Sequence, residues 1–123
     1  MTIRELYDAI GGNYDQAIRV MKSDRLIDKY IRKLKSSNVG EMLEKAGQSM
    51  DATALFESAH AMKGVCANLG LDNLAGAADE ITEEFRPGNP RKLSDDEVQA
   101  KLQAIAERYA ATAQSISRYE ESV

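Results

Sequence analysis

The chain has no tryptophan, two prolines, one cysteine and one histidine, and aromatic residues make up only 6% of it. The single cysteine, Cys66, rules out an internal disulfide. Cys66 also lacks the second pair of ligands that a zinc site needs. Few prolines and few β-branched runs leave little material for strands. No apolar run approaches the length that spans a bilayer, so no membrane segment is expected. The opening Met1-Thr2-Ile3-Arg4-Glu5 is polar and helix-like, which is unlike a secretory signal. These absences lead to an expected cytoplasmic location.

What is present fits one globular unit. The 123 residues suffice for a single domain with its own apolar core. The net charge is −4 but unevenly spread. Arg19, Lys22, Arg25, Lys29, Arg32, Lys33 and Lys35 fall between positions 19 and 35, against only Asp24 and Asp28. Asp79, Glu80, Glu83 and Glu84 crowd positions 79–84. A basic helix face can steer an acidic partner or simply face solvent. An acidic chain without a recognition motif is not expected to bind nucleic acid.

Periodicity predicts helix nearly throughout. Thr2…Glu5, Asn13…Gln16, Asn38…Glu41 and Ser94…Glu97 have capping-box spacing. Ser23, Asp51 and Asp72 are further N-cap candidates. Helices are predicted near 2–10, 13–21, 24–36, 39–47, 52–69, 72–86 and 94–120. Gly11-Gly12, Gly70 and Pro87-Gly88-Asn89-Pro90 are the breaks.

The longer segments carry apolar stripes. These are Ile27, Tyr30, Ile31 and Leu34; Leu55, Ala59, Met62, Cys66 and Leu69; Leu74, Ala78, Ile81 and Phe85; and Val98, Leu102, Ile105, Tyr109 and Ile116. The predicted fold is all-α, an up-down-up-down four-helix bundle with additional short N-terminal helices. Residues 1–22 would form a helical cap, with Ile3, Leu6 and Ile10 as its buried side. Residues 23–120 would form the bundle, in one domain spanning 1–123. Such a bundle is self-sufficient, so a monomer is expected.

His60 stands apart from its stripe. At about 100° per residue, the apolar stripe of segment 52–69 covers about 80°, and His60 points roughly 140° from its middle. A core histidine would lie within the stripe, so this one is expected to face outward. Its i+3 and i+4 neighbours are Lys63 and Gly64. An imidazole is largely neutral at cytosolic pH and therefore nucleophilic. Lys63 could donate a charge-assisted hydrogen bond to a phosphoryl group attached to it. Glycine within a helix costs about 1 kcal/mol relative to alanine, so Gly64 calls for another reason, and room for an approaching partner supplies one. Ala67, one turn on, is also small. Phe56, one turn before His60 and off the stripe, joins Ala67 as a candidate docking residue. No carboxylate-rich metal pocket is evident, so no metal ligand is assigned here.

The run His60-Ala61-Met62-Lys63-Gly64-Val65-Cys66-Ala67-Asn68-Leu69-Gly70 resembles the signature of histidine-phosphotransfer (HPt) domains. That signature has histidine, a variable residue, an apolar residue, Lys-Gly, and a Leu-Gly pair shortly after. Met62 replaces the usual leucine, a near volume-conserving change. The resemblance implies that His60 is the phosphorylated nucleophile, Lys63 stabilises the phosphoryl group, and Gly64 keeps the histidine accessible. It implies receiver domains of response regulators and hybrid sensor kinases as partners. The Mg²⁺ is then expected in the partner, and no cofactor in this chain. The protein would be a phosphorelay carrier and not an enzyme.

Two other classes compete. An HPt-like adaptor could sequester a kinase or receiver without accepting a phosphoryl group. An enzyme such as a phosphohistidine phosphatase or an autonomous kinase would need a nucleotide pocket, and neither a P-loop nor a kinase signature is present.

Overall fold

The computed structural model describes residues 1–123, which form seven helices and no strand. These are α1 (Ile3–Ile10), α2 (Tyr14–Met21), α3 (Asp24–Ser36), α4 (Val39–Ser49), α5 (Ala52–Asn68), α6 (Asp72–Phe85) and α7 (Asp95–Ser122). All seven predicted segments appear within two residues of their expected bounds. None is long and apolar enough to cross a membrane.

Local chemistry explains most of the boundaries. Thr2 and Ser94 close full capping boxes with Glu5 and Glu97. The side chains of Asn13, Ser23 and Asp51 each accept a hydrogen bond from a backbone N–H of the first turn. Two expected caps fail. Asn38 makes no side-chain capping bond, and its backbone lies outside the extended region that such a cap requires. Asp72 is the first helical residue, behind Leu71 as N-cap, where its carboxylate still favours the positive end of the helix dipole.

Helices α4, α5, α6 and α7 each pack on the next, and α7 returns to α4, closing a ring of four. The shorter α4 thus takes a place that the sequence reading gave to α3. Gly47 makes this approach feasible: Leu102 of α7 lies where a Cβ would sit, at 2.8 Å. Gln99 of α7 also donates to the Gly47 carbonyl at 2.8 Å. Helix α3 instead packs against α7, α2 and α1. Tyr119 donates to Asp28 at 2.6 Å, and Arg32 and Lys35 both pair with Glu120. Two of the basic residues noted in the sequence therefore tie α3 to α7.

The stripes predicted for α5 and α6 are buried in full, within one continuous apolar core. On α3, Ile27, Ile31 and Leu34 are buried, but Tyr30 is exposed between Lys29 and Lys33. Three buried positions were enough to seat this helix, and Tyr30 fell on the rim. Tyr109 is half-buried and donates to the Leu34 carbonyl at 2.7 Å. At the N-terminus, Tyr7 is buried and donates to the Leu69 carbonyl at 2.7 Å, anchoring α1 to the end of α5.

Candidate functional site

The sequence places His60 on the outward side of α5, and the fold keeps it there. Leu55, Ala59, Met62 and Cys66 are buried, while His60 is exposed. Its ring stacks nearly parallel on Phe56, one turn earlier, with centroids 5.7 Å apart and planes 10° from parallel. Phe56 is half-buried against the core, so it offers the imidazole a fixed floor. The Arg86 guanidinium lies 5.3 Å from the Phe56 ring centroid. Phe56 is thus a support for the imidazole as well as part of the surface around it.

Lys63 leaves α5 sideways. Its Nζ lies 2.8 Å from Asp79 Oδ1 on α6. That distance allows ionic contact, but the angle does not allow a hydrogen bond, and the covered Oδ1 has no other partner. Further along α6, Arg86 holds Glu83 through two aligned bonds of 2.9 Å each. This bidentate contact with Arg86 keeps the Glu83 carboxyl below its ordinary range, and the field of Lys63 adds a smaller lowering. Two ion pairs, Lys63–Asp79 and Arg86–Glu83, therefore line the α5–α6 seam.

Gly64 is exposed, and a Cβ added there would meet nothing within 4 Å. No internal packing requires the glycine. Ala67 is exposed on the same helix. Cys66 points into the core, and burial pushes its thiol up to about 12, so it cannot pair with the outward imidazole. No three His, Cys, Asp or Glu side chains converge where they could hold a metal ion.

Asp79 and Arg86 escaped the sequence reading. The sequence shows Asp79 only as part of the acidic run 79–84, and nothing in it singles out Arg86. The usable signal is the hairpin register. Lys63 and Asp79 each lie eight residues from Leu71, and Phe56 and Arg86 each lie fifteen from it. An antiparallel helix pair turning at Gly70-Leu71 brings such symmetric positions together. The basic run of α3 contributes none of the side chains grouped with His60.

A model of the Hpt domain family matches residues 28–114, which include the whole of the α5–α6 hairpin. No curated protein and no solved structure matches the chain. With the match covering most of the chain, and with the helical bundle and outward histidine in place, this protein belongs to the Hpt domain family, the phosphotransfer modules of two-component systems.

Proposed function

We propose that this protein is a phosphorelay intermediate that accepts a phosphoryl group on His60 from a receiver-domain aspartate and passes it to another receiver. The observation that carries the reading is the exposed His60 ring, propped on Phe56 and flanked by an open Gly64. The ring presents a nucleophilic nitrogen to a partner without first breaking an internal contact.

In the transfer, imidazole Nε2 attacks the phosphorus of the aspartyl phosphate. The N–P bond forms as the O–P bond breaks, and the carboxylate leaves with the electron pair. The Nδ1 proton stays on the ring, giving a phosphoimidazolium. Return transfer reverses these steps. Such transfer depends on in-line positioning and on neutralising charge on the phosphoryl oxygens. Lys63, one turn beyond His60, is the group on this chain suited to the second task. Phe56 limits rotation of the ring, and Gly64 and Ala67 leave room for the receiver surface. The acidic metal pocket is assigned to the partner receiver, and this chain to the role of carrier.

The test is transfer of label from phosphorylated receiver domains. The protein should acquire alkali-stable, acid-labile label. His60→Gln should abolish the label while leaving helical content unchanged. A folded His60→Gln variant that still labels would overturn the site assignment. Unaltered pathway output from that variant would point to the adaptor role instead.

A further inference from the structure

Resting on this reading of His60, we infer that Asp79 is a positioning residue that holds Lys63 aside in the unphosphorylated protein and competes with the phosphoryl group for it. Asp79 thereby sets how firmly His60 retains its phosphoryl group.

The argument begins with the pairing of the four charges on the seam. Arg86 is locked to Glu83 by two aligned hydrogen bonds and lies against the Phe56 ring. Lys63 is held differently. Its contact with Asp79 lacks hydrogen-bond alignment, and this sets it apart from the Arg86–Glu83 pair, which is just as open to solvent. An ion pair this open is screened by solvent and holds its partners only weakly. A dianionic phosphoryl group one turn away offers Lys63 more charge and better-directed acceptors. Lys63 is therefore the cation free to exchange, and Arg86 is the one that stays.

The exchange has a consequence for transfer. Once Lys63 turns to the phosphoryl group, Asp79 loses its ionic partner, and its covered Oδ1, already without a hydrogen bond, is left beside newly added negative charge. That penalty opposes retention and favours passing the group on. A carrier profits from such a balance, since a phosphoryl group bound too firmly would not leave.

The experiment uses the full chain loaded chemically with phosphoramidate. The imidazole displaces ammonia from phosphorus: the N–P bond to His60 forms, and the leaving nitrogen departs as NH₃. This reagent loads an exposed imidazole whatever its biological role. Failure of the relay reading, seen as no label from phospho-receivers, is thus separate from failure here. Decay of phosphohistidine is followed by ³¹P NMR at neutral pH. Asp79→Asn should slow decay roughly two- to fivefold, the equivalent of the open ion pair. The gain should vanish in a Lys63→Met background, as pairwise coupling requires. Asp79→Glu should restore a decay rate near that of the native chain. Decay of Asp79→Asn at or above the native rate would overturn the inference. So would an equal slowing with and without Lys63, which would mark a general charge effect.

Discussion

Two glycines of the α5–α6 hairpin meet opposite demands. Gly70 has φ +68°, and a Cβ there would clash with the Asn13 carbonyl oxygen. The same junction carries a hydrogen bond from Asn13 N to the Gly70 carbonyl at 2.8 Å. Gly70→Ala should therefore destabilise the protein by at least about 2 kcal/mol, since left-handed backbone alone costs an L-residue about 1–2 kcal/mol. Gly64 sits in ordinary helix with open space beside it. Gly64→Ala should stabilise the fold by about 0.5–1 kcal/mol, the usual helix preference for alanine. Urea unfolding of both variants checks the contrast, and a destabilised Gly64→Ala would refute it. Gly64→Gln should fold normally yet slow transfer from a phospho-receiver, because the added side chain occupies the approach to His60.

At the scale of elements, the α6–α7 connection is held by one buried carboxylate. Glu84 accepts hydrogen bonds from Arg91 Nε at 2.8 Å, from Leu93 N at 2.9 Å and from Lys92 N at 3.1 Å. Burial works to raise its pKa, but Arg91 and the two backbone N–H groups together outweigh it, so Glu84 titrates below its ordinary value of 4.5. A carboxyl lowered in the folded state adds stability above its unfolded pKa and loses it as pH falls through the folded value. Glu84→Gln should cost about 1.5–3 kcal/mol at neutral pH, the range for hydrogen bonds to charged groups. It should also flatten the acid side of the stability profile. A chemical-denaturation series across acidic pH tests both, and an unchanged pH slope would contradict the assignment. The other acids of the run are paired as well: Asp79 with Lys63, Glu80 with Lys101 and Glu83 with Arg86. The acidic run is consumed within the protein and is not a free patch.

For the whole molecule, Cys66 is a built-in reporter of cooperativity. It is fully buried on α5, and burial pushes its thiol up to about 12. The thiolate is the reactive form, so a thiol reagent should reach it only when the bundle opens. Native alkylation should run at least about a thousandfold slower than in urea, given the usual stability of a domain of this size. Fast alkylation of the folded chain would show that α5 separates from the core locally. Such motion would also disturb His60, because Leu55, Ala59 and Met62 on the same helix seat it.

The amino-acid sequence by itself determined the helices, most of their polar starts, most of the buried stripes and the outward direction of His60. Those features follow from periodicity and from contacts within four residues, which one chain segment contains. Only the tertiary structure decided which helices enclose the core, with α4 rather than α3 in the ring, because Gly47 admits Leu102 from 55 positions away. It also decided where the charges go. A lysine one turn from His60 is free or occupied according to what α6 presents opposite it, and Asp79 enters its reach only when the hairpin has closed.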